Sequence, residues 1–350
     1  NPIDMLGAAN PAEFSLAVNL ALEDSQVDAV IPILVPQALV NTAEVAASIC
    51  EAAHKSTKPV LTCFMGDWSV GEARQILHTH GIPMYISPET AGRVLGAMRR
   101  YGAWRDRPAL EFCRPTGLNP DAVRNLLSTA ESALGESLTR PLLEAYGIPL
   151  IPGETAFSAQ EASAAADRMG YPVVMKIISP DILHKSDVGG IKLNLSDGVE
   201  VADAYTSLLS EVAARAPSAR LEGVLVEIMA PHGQEVIVGM RRDPNFGPLM
   251  MFGLGGIYVE LFGDVSFRVA PLSQADARDM IHQTRAGRLL TGFRGMPVAD
   301  INAVVDTIQR LSCLALDFPE IEEIEINPLL VLPENQGVLA LDGRVILARG

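Results

Sequence analysis

Lys176 is the first residue of this chain that calls for a chemical explanation. It stands in the run VVMKII, residues 173–178. Alternation along a strand over 172–178 puts Val174, Lys176 and Ile178 on one face and Val173, Met175 and Ile177 on the other. A lysine among apolar neighbours is costly to bury unless an anion meets it. A polar loop follows with His184, Lys185, Gly189 and Gly190, and then a second strand over 191–195. Strand, cationic glycine-containing loop, strand is a way to hold a polyphosphate, because glycines let backbone N–H groups approach it. The alternative is a β-hairpin whose lysine reaches back to water over a merely solvated loop.

A second set of chemical groups lies at the other end, in EIEINPLLVLPENQGVLALDGRVIL. Pro333, Glu334, Asn335 and Gln336 read as a short loop and Gly337 as a bulge, so two strands pair antiparallel. If Leu332 faces Gly337, Asn327 lies opposite Asp342 with Cβ atoms about 5 Å apart. Glu325, two residues before Asn327, shares that face. An amide oxygen and two carboxylates are hard donors that suit a Mg²⁺ ion keeping some of its waters and touching phosphate. The alternative is a polar solvent face on an edge hairpin.

These groups need a scaffold, and the chain supplies two kinds. Residues 1–103 alternate in the α/β manner, with strands over 29–35, 59–64 and 83–86 and helices over 11–23, 42–55, 70–80 and 88–101. Thr42 reads as the cap of the second helix. Residues 104–121, with Trp104, Pro108, Pro115 and Gly117, read as a linker. From 122 onward the pattern changes. Helices are expected over 138–146, 158–169, 199–214, 275–286 and 299–315, with Ser158 and Glu161 in capping-box spacing. Strands are expected over 148–151, 223–229, 235–240, 248–252, 324–332 and 338–341, and RRDPNFG, 241–247, as a turn. No GxxxxGK[ST] is present, and GLGG at 253–256 does not fit GxGxxG, which excludes a P-loop and argues against a dinucleotide fingerprint.

Bulk composition narrows the classes. At 350 residues the chain has room for two or three domains, and 48% hydrophobic with 20% charged residues is ordinary for a soluble α/β protein. A net charge of −15 argues against nucleic acid or an anionic membrane as partner, so an anionic ligand must meet a local cationic patch. No apolar run approaches a membrane span. The four cysteines, Cys50, Cys63, Cys113 and Cys313, are scattered, which reads as buried free thiols in a cytoplasmic protein. His78 and His80, two apart on one helix, make a poor metal pair and read as surface residues, as does His54. The chain begins at Asn1, which suggests part of a longer polypeptide.

Three stretches, VVMKIISPDILHKSDVGGIKLNL, VLVEIMAPHGQEVIVGMRRDPNFGPLMMFGLGGIYVE and EIEINPLLV with LDGR, resemble the ATP-grasp domain of nucleoside-diphosphate-forming acyl-CoA synthetases. This is the acetate–CoA ligase (ADP-forming) family, related to succinyl-CoA synthetase; the likeness covers about residues 122–350. Residues 1–103, from NPIDMLG, resemble the latter part of the flavodoxin-like domain that precedes it. The resemblance implies interconversion of acyl-CoA, ADP and phosphate with free acid, CoA and ATP through a phosphohistidine, with Mg²⁺ and ATP or ADP as cofactors. It also implies that CoA-binding domains and an SHTG-type histidine loop lie upstream, in this or a partner chain, in a larger assembly expected to be a homo-oligomer. A small carboxylic acid or its CoA thioester is the implied substrate.

Residue by residue, Lys176 matches the lysine that contacts nucleotide phosphates, and His184 matches a histidine that takes the phosphoryl group near the nucleotide, with Lys185 beside it. Glu227 and Met229 fall on the strand and hinge that meet adenine, and Glu235 is a candidate for ribose or metal. Asn327 and Asp342 match the Mg²⁺ ligands, with Glu325 in or next to that set. Gly189, Gly190, Gly255 and Gly256 would let backbone approach phosphate, and Arg268 would offset transferred charge. Two other readings stay open: a regulatory module sensing nucleotide or acyl-CoA in a protein acetyltransferase fusion, and another ATP-grasp carboxylate ligase without a histidine relay.

Overall fold

A computed structural model of the protein describes residues 2–106, 111–128, 133–134, 136–182, 185–256 and 263–348. The chain divides into two compact units, Asn1–Ala109 and Leu110–Gly350.

The first unit alternates α1 (Pro11–Glu23), β1 (Ile33–Leu34), α2 (Thr42–Ala53), β2 (Thr62–Phe64), α3 (Gly71–Thr79), β3 (Met84–Tyr85) and α4 (Pro88–Arg105). The strands pair in parallel in the order β1-β2-β3, Ile33 beside Cys63 and Cys63 beside Tyr85. Parallel neighbours need crossovers, and α2 and α3 provide them. Val45, Ile49, Phe64 and Leu77 close the core between them. The cap of α2 is Asn41, one residue earlier than expected: its side chain accepts from the amides of Ala43 (3.0 Å) and Glu44 (3.3 Å). Thr42 instead donates its hydroxyl to the Ser69 carbonyl at 2.7 Å.

The second unit contains α5 (Pro120–Ser128), β4 (Ala133–Leu134), α6 (Glu136–Ala145), β5 (Gly153–Ala156), α7 (Ala159–Met169), β6 (Val173–Ile178), β7 (Ile191–Leu195), α8 (Gly198–Arg215), β8 (Gly223–Ile228), β9 (Gln234–Asp243), β10 (Gly247–Leu254), β11 (Val265–Val269), α9 (Gln274–His282), α10 (Arg285–Leu290), α11 (Ile301–Asp317), β12 (Ile321–Val331), β13 (Val338–Ala340) and β14 (Gly343–Leu347). Two antiparallel sheets result. The small one runs β5-β8-β6-β7; the large one runs β11-β10-β9-β12-β14-β4, with β13 also on β12. Val173, Met175 and Ile177 of β6 pack on Ala162 and Ala166 of α7 and on Val201, Leu208 and Val212 of α8. That commits Lys176 to the opposite face, as strand alternation requires. Val238, Phe252, Ile324 and Ile326 of the large sheet pack on Val304, Ile308, Leu311 and Leu314 of α11.

Several boundaries differ from the sequence reading for identifiable reasons. Residues 148–151 form only an isolated bridge, Leu150 to Ala340, and the strand begins at Gly153. Pro149 and Pro152 have no N–H to donate to a ladder. The expected helix over 275–286 is two helices. Thr284 caps the second, accepting from the Gly287 amide at 3.0 Å, and a Cβ on Gly287 would lie 2.0 Å from the Ile281 carbonyl oxygen. The expected turn over 241–247 is shorter, because Arg241–Asp243 continue β9; Asp243 Oδ1 then accepts from the amides of Asn245 (2.8 Å) and Phe246 (3.0 Å). Ser158 caps α7, but the Glu161 carboxylate takes the Phe157 amide at 2.8 Å, one residue outside a capping box. Cys50, Cys63 and Cys313 are buried free thiols, whereas Cys113 is exposed. Among the described residues no helix is long and apolar enough to cross a membrane.

Candidate functional site

Strands β6 and β8 are antiparallel neighbours, with Val174 beside Glu227 and Lys176 beside Leu225. Lys176 and Glu227 therefore meet diagonally on the face turned away from α7 and α8. The Lys176 ammonium lies 2.6 Å from Glu227 Oε2 and donates to the Leu341 carbonyl at 2.7 Å. The other carboxylate oxygen, Oε1, accepts from Arg140 Nη1 at 2.6 Å, and Arg140 Nη2 donates to the Ile151 carbonyl at 2.6 Å. The three side chains are nearly out of water, at 14% exposure for Arg140, 2% for Glu227 and 13% for Lys176. Charged hydrogen bonds this short are among the strongest noncovalent contacts in a fold. The anion demanded by the buried lysine is thus, first of all, a protein carboxylate.

The closing hairpin forms the second half. Leu332 N–H donates to the Gly337 carbonyl and Asn327 N–H to the Asp342 carbonyl, each at 3.1 Å, with Leu330 paired to Leu339 and Glu325 to Arg344. The register is the one in which Asn327 faces Asp342; the returning strand is divided into β13 and β14 by residues 341 and 342. Asn327 donates through Nδ2 to Glu325 Oε1 at 3.2 Å and accepts through Oδ1 from the Gly256 amide at 3.0 Å. Asp342 receives the Lys185 ammonium on both oxygens, at 2.9 and 2.7 Å, and its own neighbour's amide, Gly343 N–H, at 2.9 Å. Arg344 contacts Glu323 and, at 3.5 Å, Glu325.

Glu325, Asn327 and Asp342 are half-buried. Among the described residues no three histidine, cysteine or carboxylate side chains cluster as a metal cage, so the set depends on the Asn327 amide. Two carboxylates and an amide oxygen on one face fit a hard divalent cation that retains water. A cation is already drawn to this spot, since the Lys185 ammonium sits on Asp342.

Two glycines proposed for ligand approach are needed by the chain itself. A Cβ on Gly190 would stand 2.6 Å from Ile177 and 2.9 Å from the Lys185 carbonyl, and one on Gly255 would meet the Val236 backbone at 2.8 Å. Gly189 and Gly256 have φ of +73° and +67°, where a side chain is strained. Glu211 buttresses the Gly189 turn, its Oε2 within 2.5 Å of where a Cβ would stand there. Its carboxyl is held below the usual range by the Lys192 ammonium and then the Ser207 hydroxyl. Glu235 is exposed, next to Gly256, and its carbonyl accepts from the Gly255 amide at 3.1 Å.

Met229 contributes a backbone link, its N–H donating to the Pro172 carbonyl at 3.1 Å. Arg268 lies on β11, at the far edge of the large sheet, and donates to the Phe267 carbonyl at 2.7 Å; no contact joins it to the groups above among the described residues. His184 lies outside the described residues. Arg140 and Arg344 were missed from sequence. The sequence did hold a signal for Arg344, since the register that pairs Asn327 with Asp342 also pairs Glu325 with Arg344.

Comparison with known proteins gives the constellation a lineage. Residues 125–347 match the family model of an ATP-grasp domain, and residues 1–107 match that of a Ligase-CoA domain. The chain belongs to the ADP-forming acetate–CoA ligase family. It is 41% identical over 352 residues to acetate–CoA ligase [ADP-forming] I of Archaeoglobus fulgidus, covering 99% of this chain and 50% of that protein. It is 45% identical over 214 residues to the beta subunit of acetate–CoA ligase [ADP-forming] I of Pyrococcus furiosus, covering 61% of this chain and 91% of that subunit. Among solved structures, one chain of Ca. Korarchaeum cryptofilum acetyl-coenzyme A synthetase 1 is 41% identical with a TM-score of 0.56, covering 65% of this chain and 99% of that one. That structure holds coenzyme A and Mg-AMPPCP, with its phosphohistidine segment pointing towards the nucleotide binding site. The chain spans about half the length of the Archaeoglobus relative.

Proposed function

We propose that this chain provides the nucleotide half of an acid–thiol ligase that interconverts acyl-CoA, ADP and phosphate with carboxylic acid, CoA and ATP. The observation that carries the reading is the junction of two opposite charge clusters. Lys176, held by Glu227, and Lys185, held by Asp342, reach consecutive positions of one hairpin. A nucleotide needs cations against its phosphates and oxygen donors for its Mg²⁺, and both sets converge there. Asn327 and Asp342, with Glu325 alongside, would hold the ion, which would draw charge from the phosphate oxygens. Lys176 would contact phosphate, Glu227 and Met229 would border the adenine, and Glu235 would sit toward ribose or metal. Gly189, Gly190, Gly255 and Gly256 would shape the loops around the phosphates, and Arg268, out on β11, would offset transferred charge only from a distance. The parallel order of the first unit supports reading it as part of a flavodoxin-like domain.

His184 is assigned the role of phosphoryl carrier, beside Lys185 on the loop that reaches Asp342. The bridging P–O bond of ATP breaks, an N–P bond forms at the imidazole, ADP leaves, and the ring gives up a proton to water. The hairpin groups account for phosphoryl exchange with the nucleotide, and the acyl and CoA steps call on groups elsewhere. The test is labelling with Mg-[γ-³²P]ATP under conditions that preserve acid-labile phosphate, comparing wild type with His184→Ala. Label on the wild type that is lost in the variant supports the assignment. Nucleotide binding with label on neither protein removes His184 from the role.

A further inference from the structure

We infer that Arg140 is a positioning residue for the phosphate-binding lysine, acting by neutralising Glu227 so that the charge of Lys176 remains available to an anionic ligand. The inference rests on the reading of this site as a nucleotide site, and goes beyond it by giving a role to a residue on α6.

Charge balance in a dry place gives Arg140 this role. Glu227 has one negative charge and two cationic neighbours, each at 2.6 Å on a separate oxygen. Had Lys176 been its only partner, the two would form a closed ion pair, and a phosphate would have to compete with Glu227 for the ammonium. Arg140 changes that. A guanidinium keeps its proton under all ordinary conditions, so the triad carries one surplus positive charge that water does little to screen. Among the described residues the Lys176 ammonium donates one hydrogen bond, to the Leu341 carbonyl, and is ion-paired with Glu227. An ammonium has three N–H groups, which leaves it donor capacity for a phosphate oxygen.

The geometry also makes Arg140 a brace. It belongs to α6, which lies against the large sheet, with Thr139 and Leu143 packed over Gly343 of β14. Its two terminal nitrogens point elsewhere, one to Glu227 on β8 of the small sheet and one to the Ile151 carbonyl just before β5. A lysine at 140 would keep the charge but, as a single point donor, not the fork.

The test compares Arg140→Met, Arg140→Lys and the double variant Arg140→Met/Glu227→Gln with wild type, by calorimetric titration of ADP and of adenosine at two salt concentrations. In Arg140→Met, ADP binding should weaken about tenfold or more, adenosine affinity should stay within about twofold, and the salt dependence of ADP binding should flatten. Arg140→Lys should recover most of the ADP affinity. In the double variant, in which Lys176 is released from a charged partner, the ratio of ADP to adenosine affinity, which cancels any change at the adenine that Glu227 borders, should return to within about threefold of wild type even if thermal stability does not return. Equal losses of ADP and adenosine, or no recovery in the double variant, would show that Arg140 serves packing alone and overturn the inference. Unchanged ADP binding by Arg140→Met would overturn it too. Failure of wild type to bind ADP would instead overturn the nucleotide reading, and the inference with it.

Discussion

The two halves of the candidate site carry surplus charge of opposite sign and differ in how firmly that charge is held. On the small sheet, Arg140 and Lys176 share the single carboxylate Glu227, all nearly out of water. On the hairpin, Glu323, Glu325 and Asp342 outnumber Arg344 and Lys185, and the side chains are 10–38% exposed. A buried network cannot lose one member without stranding the charge of another. A partly exposed one can exchange a partner at small cost, because solvent screens what is left behind. The first half is therefore suited to act as a fixed clamp and the second as a place where a lysine and a metal ion trade positions.

The strongest way to break that contrast is Glu227→Ala, which leaves two buried cations facing each other. A loss of about 3–5 kcal/mol is expected, read as a urea midpoint or a fall in Tm of roughly 2–4 °C per kcal/mol for a unit of this size. If exposed Glu235→Ala destabilises as much, the triad is not the fixed element. Next is Lys176→Met, which keeps the Arg140–Glu227 pair. It should weaken ADP binding on the order of 100-fold while moving the unfolding midpoint much less; a variant that unfolds easily but still binds ADP would reverse the assignment.

On the hairpin, Asp342→Asn should make nucleotide binding nearly indifferent to Mg²⁺, and Arg344→Met, which removes the guanidinium paired with Glu323 and Glu325, should shift the Mg²⁺ titration about tenfold. Identical Mg²⁺ curves for wild type and Asp342→Asn would place the metal elsewhere. The smallest effect concerns acid. The lowered carboxyl of Glu211 adds stability that is fully present above the ordinary glutamate range and lost as pH falls through its depressed value. The stability difference between wild type and Glu211→Gln should thus be constant near neutrality and shrink below about pH 4; a difference that grows on acidification contradicts the sign.

The hairpin was the most legible part of the sequence. Its strands are apolar enough, and its loop short enough, that one pairing of Leu332 with Gly337 fixes every partner down to Glu325 and Arg344. The β6 strand was legible for a similar reason, since alternation assigns Lys176 its face. What alternation cannot supply is the partner. Glu227 was read for its place near the hinge, and its engagement by Lys176 depends on how β6 and β8 align, 51 positions apart in the chain. Arg140 was less accessible still. In ESLTRPLLEA it looks like the solvent face of an amphipathic helix, and only the approach of α6 to β8 turns it inward. The chain breaks at Pro149, Pro152 and Gly287 were visible as residue types, but their consequences depended on which neighbours the backbone met.

Lys176 and Lys185 come from the small-sheet side and grip residues 341 and 342 of the large-sheet hairpin, one by a carbonyl and the other by a carboxylate. Any motion that parts the two sheets at this point must break both together, so the pair works as a latch. The two catches respond differently to their surroundings. In the nucleotide reading proposed above, the carbonyl catch has no charge for a cation to compete for, whereas a cation at Asp342 would compete with the Lys185 ammonium for its carboxylate. If the ion binds as proposed above, metal loading would weaken one catch and leave the other, so that parting of the sheets here would become easier once the ion is in place.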